Sequence, residues 1–148
     1  MLYFAYGSNL NWHQMKKERC PGSKFLKSHN LKGYKLCFSH KTAHSIYGHA
    51  NIVKNKKSKV PGALWKITKK NEKVLDLYEG VNYNYYQKEY FSYKGQKALV
   101  YVQKIYYLKK PNSTYLHTII NGYKDCGLDL NYLKKKISNY KISYKINW

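Results

Sequence analysis

The chain has 148 residues, with 28 lysines and arginines against 7 acidic side chains, a formal net charge of +21, and 18 tyrosines spread among them. A chain of this length suits one domain, burying roughly 68–70% of its unfolded surface, and no linker or sequence repeat divides it. No apolar run of about 18 or more residues is present, which excludes a spanning helix, and the absence of a basic n-region and cleavage site at the N-terminus makes a cytoplasmic protein the expectation.

The first stretch, Leu2 to Tyr6, is aromatic and aliphatic and reads as a half-buried strand. Gly7 ends it, and Ser8 and Asn9 follow as turn residues whose side chains bond to nearby backbone. Asn11 stands three residues before Gln14, a variant of the capping-box spacing, and opens a short helix expected from about Asn11 to Glu18, stopped near Cys20-Pro21-Gly22. Strand, glycine turn and helix start together leave several backbone N–H groups facing one concavity. The residues alone fit either a cradle for an anion such as a carboxylate or an ordinary tight connection.

Phe25-Leu26 and Tyr34 to Ser39 read as two strands separated by a turn around Asn30 and Gly33, the second alternating enough to be half-exposed. His40 to Tyr47 is expected as a loop, Ala50 to Val53 as a strand, and Lys54 to Lys59 as a basic turn. Pro61 and Gly62 begin the next strand, proline being tolerated at an end or edge. Thr68 to Glu79 is the clearest helix, with Thr68 as N-cap, Val74, Leu75 and Tyr78 on one side, and Gly80 at the left-handed position past its end. Tyr85 to Tyr93 and Gln96 to Lys104 form a strand pair joined by Lys94-Gly95. Pro111-Asn112-Ser113 starts a helix striped by Tyr115, Ile119, Ile120 and Tyr123 and closed by Gly127. Asp129 caps a last short helix containing Leu130, Leu133 and Ile137. The tail from Ser138 to Trp148 reads as either a strand or a draped extension.

Cys20, Cys37 and Cys126 are an odd number without close pairs, which argues against a disulfide framework or zinc knuckle. His44 and His49 are the one close histidine pair, and no third ligand is as clearly placed, so no metal is expected. Lysines mixed with aromatics are what a nucleic-acid surface uses. Here they run from Lys16 to Lys145 without a recognition motif, so a solvated surface in a lysine-rich composition is the favoured reading. A polyanion- or nucleic-acid-binding module is the alternative.

The segment Tyr3-Phe4-Ala5-Tyr6-Gly7-Ser8-Asn9-Leu10 resembles the N-terminal signature of the gamma-glutamylcyclotransferase family. A second segment, Leu75-Asp76-Leu77-Tyr78-Glu79-Gly80-Val81, is similar to that family's Leu-Asp-x-x-Glu-Gly-Val. Weaker likeness lies at Val60 to Ile67, at Gly122 and at Gly127-Leu128, so the resemblance spans most of the chain. Mixed strands and a few helices agree with the architecture it implies, an α+β domain with a small barrel-like mixed sheet flanked by helices.

The resemblance implies release of 5-oxoproline from a gamma-glutamyl amino acid or related small molecule, with no cofactor. The substrate's own α-amine attacks its γ-amide carbonyl, so the protein supplies orientation and proton transfer. Glu79 is the residue the motif assigns to the proton, and its position in the last helical turn raises its proton affinity. Asp76, one turn earlier, reads as a structural or capping partner. Tyr6, Gly7, Ser8 and Asn9 would hold the glutamyl carboxylate and amine, Gly7 allowing close backbone approach with a positive φ expected there. Tyr86 is the site tyrosine by position, with Tyr85 leaving the register open, and Tyr115 is a further candidate. For these tyrosines a core or surface role remains equally open.

Overall fold

The computed structural model describes residues 1–148 and contains one mixed six-stranded sheet, curled into a half-barrel, with helices packed on it. Strands β1 (Leu2–Ala5), β2 (Lys24–His40), β3 (His49–Lys66), β4 (Gln87–Tyr93), β5 (Gln96–Val102) and β6 (Tyr107–Leu108) lie in the order β4-β5-β1-β3-β2-β6. The helices are α1 (Lys69–Tyr78), α2 (Ser113–Cys126) and α3 (Leu130–Ile137). Strand β1 runs antiparallel to β3 and parallel to β5, and the other pairings are antiparallel.

Strand β1 lies inside the sheet because all four of its residues are apolar and buried on both faces. Such a continuous apolar run suits a strand covered above and below. Helix α2 carries Leu116, Ile119, Ile120 and Tyr123 into the core, each buried to within 1%. Helix α1 has the expected ends: Thr68 and Asn71 form a reciprocal capping box, and Gly80 is left-handed. Its apolar face is narrower than the sequence suggests, since Leu75 is fully buried whereas Tyr78 is 56% exposed. At the β4–β5 hairpin, Lys94 and Gly95 both have positive φ, the backbone that a two-residue turn between right-twisted strands requires. Asp129 caps α3 as expected, and Asn112, within the expected start of α2, caps that helix.

Strands β2 and β3 depart from the expectation of several short strands. Each is one long strand, and the features read as turns are irregularities within the ladder. Lys32 pairs with Lys59, but Tyr34 pairs with Lys54, so β3 carries extra residues opposite Gly33. Gly33 takes a φ of 86° there, which bends the strand without ending it. Asn55 closes the extra loop by accepting from Lys57 N and Ser58 Oγ. Pro61 lies within β3, beyond the β1–β3 ladder that ends at Ala63, where β1 no longer requires a donor from it. The stretch Leu36 to Ser39 is buried throughout. Its backbone is covered by tyrosines from the C-terminal region, Tyr132 OH accepting from Leu36 N and Tyr140 OH from Phe38 N.

The tail is a draped extension with the periodicity of a strand. Tyr140, Ile142, Tyr144, Ile146 and Trp148 pack against the core while the residues between them are exposed. Strand β6, two residues long, was not expected from the sequence. Where β1 crosses β3, Gly62 permits a close approach, because a Cβ there would lie 2.4 Å from both Ala5 O and Phe4 Cζ. Gly62→Ala should therefore lower unfolding stability by about 1–3 kcal/mol, the usual cost of overpacking. Denaturant titration measures this, and a variant as stable as the wild type would refute the close approach.

Candidate active site

The turn after β1 and the end of α1 face each other across one cavity of ≈ 170 Å³. Tyr6, Gly7, Ser8, Asn9, Glu79, Tyr86 and Tyr115 all line it, so the structure gathers around one cavity the residues that the sequence offered as catalytic or substrate-binding candidates. Tyr85 lines it as well, and the choice between Tyr85 and Tyr86 resolves into both.

Ser8–Leu10 is a single 3₁₀ turn whose first closing bond runs from Leu10 N to Gly7 O at 3.0 Å. The N–H groups of Gly7, Ser8 and Asn9 precede that bond and have no acceptor within the turn. Gly7 has φ −121°, not the positive value expected. Its requirement is steric: a Cβ there would lie 2.9 Å from Ala50 Cβ and 3.4 Å from the Tyr115 hydroxyl. Beyond the turn, Asn11 Oδ1 accepts from Gln14 N, the expected cap. The Gln14 side chain does not return to Asn11 but donates to Ser8 Oγ at 2.9 Å and Asn9 Oδ1 at 3.0 Å.

The expected short helix is present with a different winding. Gln14–Arg19 is π-helical, and Cys20 N bonds to Met15 O, five residues back. That winding brings residues five apart onto one side, so Gln14 and Arg19 reach the same acceptor, Asn9 Oδ1, the latter at 2.9 Å. The Asn9 amide nitrogen donates to Tyr3 OH at 2.9 Å and to Glu79 Oε1 at 3.4 Å. Asn9 is 3% exposed and fully engaged. Its side chain ties the site together and has nothing left to offer a ligand.

Glu79 is the C-cap of α1 and keeps part of its surface open to the cavity. Burial pushes its carboxyl pKa up to about 7, with the Arg19 guanidinium opposing the shift. Asp76 lies outside the cavity wall, held by Lys88 Nζ at 2.9 Å and Tyr101 OH at 2.7 Å, so it is the structural partner expected. Tyr6 OH donates to Tyr101 O and Tyr86 OH to Ala50 O, so both present ring surface to the cavity. The Tyr115 oxygen accepts from Ala50 N at 2.9 Å, which leaves its own proton available. Tyr85 OH bonds His49 Nδ1, and the His49 ring meets Tyr115 edge-on at 4.9 Å between centroids. No group of three or more His, Cys, Asp or Glu side chains gathers in the structure.

Sequence reasoning missed Tyr3, Arg19, His49, Tyr78 and Tyr101, all of which line the cavity. One signal was available for Arg19, which is the only arginine in the chain.

A curled mixed sheet with this cleft at the end of its first strand is a gamma-glutamylcyclotransferase-like fold. One solved gamma-glutamyl cyclotransferase structure superposes with a TM-score of 0.80 at 29% identity, covering 99% of this chain and 93% of that one. An uncharacterized Homo sapiens protein superposes at 0.81 with 30% identity, covering 99% and 92%. The AIG2-like family model matches residues 59–135. The gamma-glutamylcyclotransferase of Bos taurus is 32% identical over 153 residues, covering 97% of this chain and 81% of the bovine protein. That of Homo sapiens is 32% identical over 143 residues, covering 90% and 76%. The chain belongs to the AIG2-like, gamma-glutamylcyclotransferase family.

The raised pKa of Glu79 has a consequence for stability. A carboxyl whose folded pKa of about 7 exceeds its ordinary value of 4.5 stabilises the fold fully below pH 4.5. That contribution is lost as pH rises through 7. Glu79→Gln removes the titration, so its melting temperature should gain on the wild type across this window and hold a constant difference above it. Thermal melts at stepped pH read this, and parallel curves would refute a raised pKa.

Proposed function

We propose that the protein is a gamma-glutamylcyclotransferase that releases 5-oxoproline from gamma-glutamyl amino acids or related gamma-glutamyl compounds. The observation carrying this reading is a single half-buried carboxyl, Glu79, with a pKa raised to about 7, lining one small cavity with the Gly7-Ser8-Asn9 turn. A carboxyl with a raised pKa is a better match to an α-ammonium than an ordinary carboxylate, which lowers the cost of taking its proton.

The glutamyl head group enters with its α-carboxylate toward the N–H groups of Gly7, Ser8 and Asn9. Glu79 takes one proton from the α-ammonium, and the freed amine attacks the γ-carbonyl carbon. The carbonyl oxygen gains the electron pair, and the Tyr115 hydroxyl, whose proton the Ala50 contact leaves free, donates to it. As the carbonyl re-forms, the original C–N bond breaks and the leaving nitrogen takes the proton held by Glu79. The ring nitrogen then gives up its second proton through Glu79 to the released amine, which departs as an ammonium and leaves 5-oxoproline and an ionised Glu79. Tyr6 and Tyr86 wall the cavity and hold the substrate folded. Such orientation can be worth about 7–11 kcal/mol of barrier in favourable intramolecular reactions.

Purified protein should form 5-oxoproline from gamma-glutamyl-alanine without added cofactor. Glu79→Gln should lower kcat by a factor on the order of 10²–10⁴, with little change in substrate dissociation constant. Asp76→Asn is the control and should retain most turnover, since it acts on Lys88 and Tyr101. The reading is overturned if the wild type makes no 5-oxoproline from gamma-glutamyl peptides, gamma-glutamylamines or glutathione, or if Asp76→Asn abolishes turnover while Glu79→Gln does not.

A second reading, compatible with the first, concerns the charge. Lys35, Lys109, Lys110, Lys136 and Lys141 line one surface groove with Tyr106 and Tyr140 and without a carboxylate, and it shares no residue with the cavity. Desolvation and the neighbouring Lys35 and Lys135 lower the Lys136 pKa, so these charges repel one another when nothing lies between them. Single-stranded nucleic acid, with phosphates for the lysines and bases for the rings, suits the groove. Binding should weaken steeply with salt, and Lys136→Glu combined with Lys110→Glu should abolish it while leaving turnover intact. Retention on a polyanion column no greater than that of the doubly substituted variant would refute this reading.

A further inference from the structure

Arg19 stands apart from the other 27 basic residues, which are all lysines. It lines the cavity, donates through Nη1 to Asn9 Oδ1, and lays its guanidinium 4.4 Å from the Tyr78 ring centroid. These contacts use one ring face and one of the five N–H donors an arginine carries. Each carboxylate within 4.0 Å of a basic side chain is taken by His13, Lys88 or Lys104, so none pairs with Arg19. An always-charged, planar fork with open donors, braced at the mouth of a cleft, is matched to an incoming carboxylate, which it grips in a two-pronged way that a lysine cannot.

A gamma-glutamyl amino acid has two carboxylates, and position decides between them. The inner end of the cavity is closed by Tyr3, Tyr6, Asn9 and Tyr86, exposed to only 3–6%. The glutamyl head group belongs at that end, against the turn N–H groups. Arg19 is half-buried and rests on Tyr78, which is 56% exposed, so it stands at the rim. The rim is where the leaving amine and its substituents must lie.

We infer that Arg19 is a specificity-determining residue that binds the carboxylate of the leaving amino acid. The inference rests on the function proposed above. It makes the preferred substrates those whose leaving amine carries an adjacent carboxylate, and it places gamma-glutamylamines at a disadvantage because they leave the guanidinium without a partner.

The test measures binding in a Glu79→Gln background, in which intact substrate persists and Arg19 no longer acts through the Glu79 proton. Calorimetry compares gamma-glutamyl-alanine with gamma-glutamylethylamide, which differ at the leaving side in the carboxylate. With Arg19 present, the alanine compound should bind about 10- to 100-fold more tightly, the worth of one charged hydrogen-bonding contact. Arg19→Gln should bring that ratio to about 1, with the loss falling on the alanine compound, and Arg19→Lys should restore only part of it. Unchanged melting of the variants would show that the fold is retained. Equal weakening of both ligands would assign Arg19 to the glutamyl head group and overturn the inference. So would an unchanged ratio, or failure of both ligands to bind while Arg19 is present. The enzymatic reading fails separately, through absence of 5-oxoproline with the wild type, and the binding comparison remains readable without turnover.

Discussion

The site depends on one buried amide. Asn9 offers a carbonyl oxygen and an N–H₂ group, and three parts of the chain use them: Tyr3 of β1, Gln14 and Arg19 of the π-helical segment, and Glu79 at the end of α1. An amide removed from water costs free energy unless its hydrogen bonds are replaced, so each partner is held in place by the penalty of leaving Asn9 unsatisfied. An aspartate here could not donate to Glu79 or Tyr3, and an apolar residue could not bridge the cationic and anionic sides. The amide separates Arg19 from Glu79 and keeps them from forming a direct ion pair. Had they paired, the carboxyl would be held ionised and the guanidinium consumed.

The sheet explains why parts distant in sequence meet at this amide. Strand β1 is flanked by β3, to which it is antiparallel, and by β5, to which it is parallel. Its C-terminal end therefore opens beside Tyr101 of β5, while Ala50, from the far end of β3, comes against Gly7, and both line the cavity. Backbone carbonyls of these two residues accept from Tyr86 and Tyr6. The tyrosine walls are thus fastened to strand backbone, with no reliance on one another. Burial raises the pKa of each well above the ordinary phenol value, so they remain neutral hydrogen-bond donors over the whole working range.

How much of this was legible in the sequence follows from the range of each interaction. Helix α1 was read from end to end because its signals are local: the Thr68 cap, the Gly80 stop and the spacing between them. The Lys94-Gly95 hairpin, the start of α2 and the cap of α3 were read for the same reason. Strands β2 and β3 were read in pieces because Gly33 and Asn55 carry turn chemistry, and only the pairing between the strands shows these turns to be bulges. At the site, Glu79 and the turn were visible through their motifs. Arg19 was hidden because a helical reading puts Gln14 and Arg19 on different faces, and only π-winding brings both to Asn9. His49 and Tyr101 reach the cavity from strands whose neighbours are set by long-range pairing, which no local pattern encodes.

Two carboxylates one helical turn apart, Asp76 and Glu79, have different surroundings. Asp76 accepts from both the Lys88 ammonium and the Tyr101 hydroxyl, and Lys88 also pairs with Glu72 at 2.7 Å. Direct partners of this kind fix the position of the carboxylate, which is what a structural role needs. Glu79 has neither: its nearest donor is the neutral Asn9 amide at 3.4 Å, and burial outweighs the more distant Arg19. The same helix thus carries one carboxylate held by two direct donors and another whose pKa burial pushes up to about 7. Exchanging the two roles would require moving Lys88, which β4 holds in register opposite Tyr101 of β5. The hairpin pairing, remote from the cavity, is therefore what keeps Lys88 on Asp76 and away from Glu79.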